Sequence, residues 1–381
     1  MRDEFLVFGS PLIGDAEIAE VEDSLRSGWI GTGPKVQRFE RMLADFVAVE
    51  HMRCVSSCTA ALMLAMKTLE LGPGDEVLVP AMTFVASANA VVHSGATPVL
   101  VDVEPGTQLI DLDAAERAIT PRTKAIMPVH FAGRPVDMDR LNALRDEHGL
   151  KVVEDAAHAL GATWDGRQIG SFGNLTAYSF YVTKNITTSE GGALASADAA
   201  TAEEVERLAL HGLSLGAWAR FSDAGFKHYE VVEPGFKFNM TDLQAAIGIH
   251  QLPKLDEWID VRAAQWARYD ELLADLPLET PPPAGDHMRH ARHLYTVLVA
   301  PGAPRTRDEL LSFLNDRKIG TGVHYRGVHL HPYYRDTLGV TPEDLPVATD
   351  VSGRTLSLPF GPKVTEADQD DVVAALAEAL A

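Results

Sequence analysis

Residues 76–101 read EVLVPAMTFVASANAVVHSGATPVLV. Two short apolar runs in this stretch, Glu76–Val79 and Pro98–Val101, have the composition of buried strands. Between them, Phe84–His93 has the length and composition of a helix, and it stops at the turn dipeptide Ser94-Gly95. A strand, a helix and a second strand in this order predict two parallel strands joined by a helical crossover.

The same alternation extends from about residue 50 to residue 200. Further strands are predicted at Arg53–Val55, Ala125–Val129 and Lys151–Glu154, and two more, close together, at Thr176–Tyr181 and Gly192–Ser196. Helices are predicted between them at Thr59–Leu69, Asp111–Ile119 and Asp137–His148. Strands that alternate with helices indicate an α/β fold with a mostly parallel sheet covered on both faces.

The chain has 381 residues, which is more than one hydrophobic core ordinarily holds, so we expect two domains. Asp15–Ser27 predicts an amphipathic helix before the alternating block, and Thr241–Leu273 predicts a helix after it that Pro253 divides. The Pro-rich stretch Leu278–Gly285 is interpreted as a linker. A smaller α+β region follows, with a strand at His293–Val299 and helices at Arg307–Arg317 and Glu366–Leu380.

Charge and composition exclude several classes of protein. The net charge is -21, from 33 basic and 54 acidic residues, and a field of that sign repels nucleic acid and anionic membranes. The N-terminus resembles no signal peptide, and no run of ~20 apolar residues predicts a membrane span. The spacing of Cys54 and Cys58 matches neither a zinc nor a redox motif, so we expect two small buried residues, no metal, and a reducing cytoplasmic environment.

Three segments at predicted strand ends carry residues suited to chemistry. Ser56–Ala61 (SSCTAA) opens a helix, where small residues let a phosphate approach free backbone N–H groups; a plain helix cap is the alternative. Val152–His158 (VVEDAAH) places acidic residues and a histidine after a strand, or simply caps the next helix. Lys184 follows a strand and precedes a turn of small residues, where a partly apolar site lowers its pKa; the alternative is an exposed surface lysine.

Taken together, the three segments match the needs of pyridoxal 5'-phosphate (PLP). This cofactor has a phosphate, a pyridine nitrogen that favours an anionic partner, and an aldehyde that reacts with an amine. Nicotinamide and nucleoside triphosphate cofactors fit less well. Gly31-Thr32-Gly33 lacks the third glycine of a dinucleotide fingerprint, and no phosphate-binding G-x-x-x-x-G-K-[ST] motif is present.

Ordered motifs along nearly the whole chain resemble the DegT/StrS family of PLP-dependent sugar aminotransferases. They include GDEVLVPAMTFVASANAV (74–91), VVEDAAHALGA (152–162), SFYVTKNITTSEGGAL (179–194) and EPGFKFNMTDLQAAI (233–247). Together with IGTGVHYRGVH (319–329), the last two are similar to enzymes of the UDP-4-amino-4-deoxy-L-arabinose aminotransferase type, which aminate C4 of a UDP-linked 4-keto sugar.

The resemblance implies the aspartate-aminotransferase fold (PLP fold type I), with a seven-stranded sheet in a large domain and a smaller α+β C-terminal domain. The implied bounds are 1–250, with an N-terminal arm at about 1–30, and 251–381. It further implies a homodimer with active sites at the subunit interface. The implied reaction transfers an amino group from L-glutamate, through pyridoxamine phosphate, to the 4-keto position of a nucleotide-linked sugar.

The resemblance also assigns roles to residues. Lys184 would bind PLP as a Schiff base, Asp155 would pair with the pyridinium nitrogen, and His158 would lie beside the ring oxygen. Phe84 would stack on the ring, where some relatives have Trp. The remaining assignments are Cys58, Thr59 and Ser179 in the phosphate cup, Asn239 at the phosphate of the neighbouring subunit, and His324 and Tyr325 at the sugar. Cys58 stands where many members have Gly, and a small side chain is tolerated because the contact is through the backbone.

Two alternatives remain beside transamination. A sugar dehydratase or another lyase can use the same fold and cofactor, although some such relatives have His in place of the lysine. A non-catalytic regulator or binding protein can also retain the fold. The joint presence of Lys184, Asp155 and His158 weighs against the regulator.

Overall fold

The computed structural model describes residues 2–214 and 230–381. Its helices are α1 (Asp15–Ser27), α2 (Pro34–Val47), α3 (Cys58–Thr68), α4 (Val85–His93), α5 (Leu112–Arg117), α6 (Met138–His148), α7 (Ala199–Ala209), α8 (Asp242–Gln251), α9 (Leu255–Leu272), α10 (Arg307–Asp316), α11 (Pro332–Leu338), α12 (Pro346–Arg354) and α13 (Glu366–Leu380). Its strands are β1 (His51–Val55), β2 (Glu76–Pro80), β3 (Thr97–Val101), β4 (Thr123–Ile126), β5 (Lys151–Asp155), β6 (Thr163–Trp164), β7 (Arg167–Gln168), β8 (Leu175–Ser179), β9 (Gly192–Ser196), β10 (Leu278–Glu279), β11 (Met288–Arg289), β12 (Tyr295–Val299) and β13 (Thr355–Leu358).

The central sheet has seven strands in the order β1-β9-β8-β5-β4-β2-β3. Every neighbouring pair is parallel except the two that involve β9, which runs antiparallel to both β1 and β8. The predicted α/β class with a mostly parallel sheet is confirmed. Because the other strands share one direction, β1, β2, β5 and β8 all end at the same edge of the sheet.

Helix α2 was not predicted from the sequence, although its pattern is regular. Val36, Phe39, Leu43 and Val47 are buried along one face with helical spacing. Pro34 occupies the first turn, where its missing N–H costs nothing. The Asp242 carboxylate accepts hydrogen bonds from the backbone N–H groups of the first turn and so fixes α2 against the start of α8.

The C-terminal part contains a three-stranded sheet, β10-β12-β13, packed against α9, α10 and α13. The interpretation of Leu278–Gly285 as a linker was wrong at its start, because Leu278 and Glu279 pair with Val299 and Leu298 as strand β10. This pairing joins distant residues, so local composition did not indicate it. The division into a large domain (1–250) and a small domain (251–381) stays a proposal, and residues 215–229 of the former lie outside the described residues.

The N-terminal segment contacts the C-terminal part of the chain beside the sheet edge. Leu6 exchanges backbone hydrogen bonds with Lys318 and Gly320, each 2.8 Å long. Gly320 lies shortly before His324 and Tyr325, so this contact braces the loop that carries them. Among the described residues, no helix is long and apolar enough to cross a membrane.

Candidate active site

A cleft of about 470 Å³ opens at the edge where β1, β2, β5 and β8 end. It is lined by these residues predicted for the site: Cys58, Thr59, Phe84, Asp155, His158, Ser179, Lys184, His324 and Tyr325. A larger depression of about 940 Å³ lies at the other edge of the sheet, around Arg145, Asn174 and Asp198, and contains none of them. The cleft is therefore the candidate active site.

Lys184 lies in the turn that follows β8. Its backbone N–H donates to Tyr181 O at 2.9 Å, which closes the turn and directs the side chain into the cleft. The protein surroundings desolvate the ammonium group and lower the pKa of Lys184 to about 8, although the nearby Asp155 carboxylate acts in the opposite direction. About a tenth of Lys184 is therefore an uncharged nucleophilic amine at pH 7, far more than for an ordinary lysine.

Asp155 is the last residue of β5 and is 5% exposed. Its Oδ2 accepts a hydrogen bond from Ser87 Oγ at 2.7 Å, and its Oδ1 accepts one from the Ala157 N–H at 3.1 Å. Because Ser87 has one hydroxyl hydrogen, it accepts from Thr83 Oγ1, 2.8 Å away. Thr83 and Ser87 were not predicted for the site; the signal in the sequence was that Thr83 precedes Phe84 and Ser87 lies one helical turn after it.

The start of α3 forms a cradle of backbone donors. The Ser57 side chain caps the helix by accepting from the Ala60 N–H at 3.0 Å. Within the described part of the chain, the N–H groups of Cys58 and Thr59 have no acceptor, as expected in a first helical turn. Gly192 packs directly beneath: a Cβ there would lie 2.4 Å from Ser57 C and 2.5 Å from Cys58 N. These donors, and the positive end of the helix dipole, suit a phosphate.

Aromatic and imidazole rings form the other wall of the cleft. His158 Nδ1 accepts from the Ala132 N–H at 3.2 Å, and its Nε2 is 3.1 Å from Tyr325 Oη. Burial, Lys184 and His324 lower the pKa of His158 well below its usual value. Phe84 is 56% exposed at the mouth, with its ring centroid 5.9 Å from that of Tyr325. An exposed aromatic face beside a cleft is suited to stacking on a planar ligand.

His324 is held from two sides. Its Nδ1 lies 2.7 Å from Ser357 Oγ on β13, and Phe8 stacks on its ring with centroids 5.4 Å apart. Burial, followed by the charge of Lys184, lowers the pKa of His324 to about 4. A neutral imidazole at this position offers hydrogen bonds to a polar ligand without adding charge.

Asn239 does not line the cleft. Its Nδ2 donates to Thr32 Oγ1 at 2.6 Å, and its Oδ1 accepts from Lys237. Both Asn239 and Thr32 border a separate cavity of about 80 Å³. The expected contact of Asn239 with a neighbouring subunit's phosphate stays a prediction.

Similarity to known proteins extends over nearly the whole chain. The model of the DegT/DnrJ/EryC1/StrS aminotransferase family matches residues 11–377. The spore coat polysaccharide biosynthesis protein SpsC of Bacillus subtilis is 48% identical over 98% of this chain and 97% of its own.

Solved structures are similar over nearly the same length of the chain. Spr1654 from Streptococcus pneumoniae, assigned as a sugar aminotransferase and solved in its PMP form, has a TM-score of 0.92 and 35% identity over 98% of both chains. DesV from S. venezuelae, in complex with a ketimine intermediate, has a TM-score of 0.85 and 38% identity over 95% of this chain and 93% of its own. The chain therefore belongs to the DegT/DnrJ/EryC1/StrS aminotransferase family, with the aminotransferase fold that its sequence motifs imply.

Proposed function

We propose that this protein uses PLP to transfer the amino group of L-glutamate to the 4-keto position of a nucleotide-linked sugar. One observation supports this most strongly. A lysine of lowered pKa, a carboxylate held by two donors, and a helix start with free N–H groups line a single cleft. These are the groups that the aldehyde, the ring nitrogen and the phosphate of PLP require.

The residues of the cleft fit this cofactor in chemistry. The N–H groups of Cys58 and Thr59, with Ser179 nearby, would hold the phosphate, and the close packing of Gly192 keeps that turn in place. Asp155 would face the ring nitrogen, and Lys184 would bind the aldehyde carbon. Phe84 would cover one face of the ring, and His158 would lie beside its oxygen.

When bound, PLP supplies an electron-accepting ring that stabilises negative charge at the carbon bearing the amino group. The protein's own residues do the rest. The amine of Lys184, when it is not bonded to the cofactor, would take a proton from the carbon that bears the donor's amino group and return it to a second carbon. Asp155, kept in place by Ser87 and Ala157, favours a protonated ring nitrogen. The lowered pKa of Lys184 suits both acceptance and release of a proton near neutral pH.

The sugar acceptor is supported by the relatives. SpsC is named for polysaccharide biosynthesis, and Spr1654 is assigned as a sugar aminotransferase. The nucleotide, the 4-keto position and the glutamate donor rest on the motifs around Lys184, Asn239 and His324. A dehydratase or lyase on this fold is the second candidate, and the assay below separates the two.

A homodimer with shared active sites belongs to the same proposal. Phe84 and Tyr181 are exposed at the mouth of the cleft, and Leu25 and Ile30 of the N-terminal arm are 60% and 50% exposed. Asn239 is held outside the cleft of its own chain. A second copy that covered both the mouth of the cleft and the N-terminal arm would bury these apolar side chains, and its Asn239 would reach the first copy's phosphate cradle.

The proposal is tested by following the transfer of labelled nitrogen from L-glutamate to the sugar. The purified protein with PLP is incubated with [15N]-L-glutamate and, separately, UDP-, dTDP- or GDP-linked 4-keto and 3-keto sugars, and the products are analysed by mass spectrometry. We expect 15N in an amino sugar from a 4-keto substrate, and none with Lys184→Ala. Loss of water from the sugar without 15N incorporation would favour the lyase, and a 3-amino product would overturn the 4-keto assignment.

A further inference from the structure

The hydrogen-bonding state of His158 is fixed by the backbone beside it. The turn Phe131–Gly133, with Ala132 at φ 55° and Gly133 at φ 94°, directs the Ala132 N–H at His158 Nδ1, 3.2 Å away. A backbone N–H can only donate, so Nδ1 must present its lone pair. The ring is therefore a neutral imidazole with its single N–H at Nε2.

A second histidine supports the neutral state. His293 lies against His158 with ring centroids 4.4 Å apart. Its Nδ1 is 3.1 Å from Asn185 Oδ1, and Asn185 Nδ2 donates to Ala291 O at 2.7 Å, which fixes the amide orientation. His293 Nδ1 therefore carries the hydrogen of that ring. Burial lowers the pKa of both histidines. A positive charge on either ring would also be repelled by the Lys184 ammonium group nearby.

The tautomer of His158 also fixes the direction of its hydrogen bond with Tyr325. His158 Nε2 and Tyr325 Oη are 3.1 Å apart. If the tyrosine donated to Nε2, both nitrogens of His158 would present lone pairs, which neither neutral tautomer allows. Nε2 therefore donates and Oη accepts, and the one hydroxyl hydrogen of Tyr325 is available to another acceptor.

Among the described residues, Tyr325 Oη has no hydrogen-bond partner other than His158 Nε2. The ring of Tyr325 is confined by Phe84 and Phe131, with centroids 5.9 and 6.1 Å away, and the residue lines the cleft together with Lys184 and Asp155. Burial and the Asp155 carboxylate raise the pKa of Tyr325, which keeps the phenol protonated. Because the oxygen of this hydroxyl accepts from His158 Nε2, its hydrogen is available for donation to the ligand.

We propose that Tyr325 is a hydrogen-bond donor to a carbonyl or phenolic oxygen of the bound ligand, with its polarity set by the Ala132 N–H through His158. The inference rests on the proposed function, since the acceptor is either the ring oxygen of PLP or the keto oxygen of the sugar. Such a site provides a hydrogen-bond donor for a ligand oxygen with a free lone pair. His158 is a positioning residue for Tyr325 in this arrangement.

The tautomer is tested directly on the holoenzyme. 15N NMR of protein labelled at histidine, with His158→Gln to assign the signal, should show an Nε2–H tautomer for His158 between about pH 6 and 8, the range in which an ordinary histidine titrates. An Nδ1–H tautomer or an imidazolium in this range would overturn the proposal. The measurement needs no turnover, so its result is independent of whether the sugar substrate is correctly assigned.

The acceptor is tested with Tyr325→Phe, which removes only the hydroxyl. If the acceptor is the sugar, the keto-sugar half-reaction should lose about tenfold or more in kcat/KM while the glutamate half-reaction and the cofactor spectrum stay unchanged. If the acceptor is the cofactor, the spectrum and its pH dependence should change before any substrate is added. Wild-type behaviour in the spectrum and both half-reactions would overturn the donor role.

A pair of His158 variants separates positioning from packing. His158→Gln keeps an N–H near Tyr325, and His158→Leu removes it at similar volume. In the step that depends on Tyr325, we expect a smaller loss of rate in His158→Gln than in His158→Leu. When each variant is combined with Tyr325→Phe, this difference should disappear. Equal defects in the two single variants, or a difference between them that persists in the Tyr325→Phe background, would overturn the positioning role. If PLP binds but no sugar is aminated, the proposed function fails while the NMR signal and spectrum still decide this inference.

Discussion

Ser87 Oγ lies 2.7 Å from Asp155 Oδ2 and joins helix α4 to the end of strand β5. Thr83 Oγ1, 2.8 Å from Ser87 Oγ, completes a short chain of hydroxyls that ends on the carboxylate. A hydrogen bond from a neutral donor to a charged acceptor is stronger than one between neutral groups. The orientation of the Asp155 carboxylate therefore depends on Ser87 directly and on Thr83 through Ser87.

Replacing Asp155 should affect the reaction far more than the fold. We expect Asp155→Ala and Asp155→Asn to slow both half-reactions by about 10²–10³-fold, the scale of losing one preorganised electrostatic group. The Asn variant keeps the shape and the hydrogen bond from Ser87 but lacks the negative charge. Single-turnover kinetics with L-glutamate measure the rate, and thermal unfolding measures stability. Normal rates in the Asn variant would show that the charge of Asp155 has no catalytic role.

Ser87→Ala should produce a smaller loss in the same step. The variant leaves the Asp155 carboxylate with the Ala157 N–H alone, so the anion is retained but less well oriented. We expect a rate between those of wild type and Asp155→Asn, corresponding to the ~1.5–3 kcal/mol of one hydrogen bond to a charged group. Val205→Ala, in the buried face of α7, serves as a control for general destabilisation. A Ser87 variant with full activity would remove this residue from the account.

Gly192→Ala should weaken cofactor binding. The added Cβ would lie 2.4–2.6 Å from backbone atoms of Ser57 and Cys58, so the turn must shift, and overpacking of this kind costs about 1–3 kcal/mol. Gly285→Ala is a matched control, because a Cβ there would contact nothing within 4 Å. Equilibrium dialysis or fluorescence titration with PLP gives the Kd. Equal affinity in the two variants would contradict the cradle at the start of α3.

The rate at which the apoprotein takes up PLP should follow the titration of Lys184. The amine must be unprotonated to attack the aldehyde, and burial lowers its pKa from 10.5 to about 8. The stopped-flow rate should therefore rise with pH and level off above about pH 8. An exposed lysine would give a rate still rising at pH 10.

The same pKa shift predicts that the stability of the apoprotein also increases with pH. Because the folded-state pKa of Lys184 is lower than the unfolded value of 10.5, its protonation opposes folding fully below about pH 8, and this cost disappears as pH rises from 8 to 10.5. Lys184→Met should therefore raise the Tm of the apoprotein more at pH 7 than at pH 10. An equal change in Tm at both values would contradict the lowered pKa.

Much of this architecture could be predicted from local pattern. Strand β9 and helices α1 and α13 begin and end where the sequence indicated, and Pro253 divides α8 from α9 as expected. Gly28 ends α1, Thr365 caps the start of α13, and β9 is a short, continuous run of buried small and apolar residues. Helix α2 has a regular apolar face and a Gly33-Pro34 start, so local pattern is sufficient to predict this helix as well.

The supporting contacts of the site were not predictable in the same way. Lys184, Asp155 and His158 stand out because their residue types suit PLP and each follows a strand. Ala132 acts through its backbone, and His293 acts through a contact with a residue far away in the chain. No sequence pattern specifies such pairs, because they are created when the segment before β12, the end of β5 and the turn Phe131–Gly133 come together in the folded chain.

The most direct test of the central claim is the absorption spectrum of the purified protein with PLP, before and after addition of L-glutamate, compared with Lys184→Ala. The account predicts a visible band from cofactor bound to Lys184, its replacement by the shorter-wavelength band of the aminated cofactor when glutamate is added, and no such cycle in the variant. Absence of any bound band after addition of PLP would contradict the account, and so would a glutamate response that persists without Lys184.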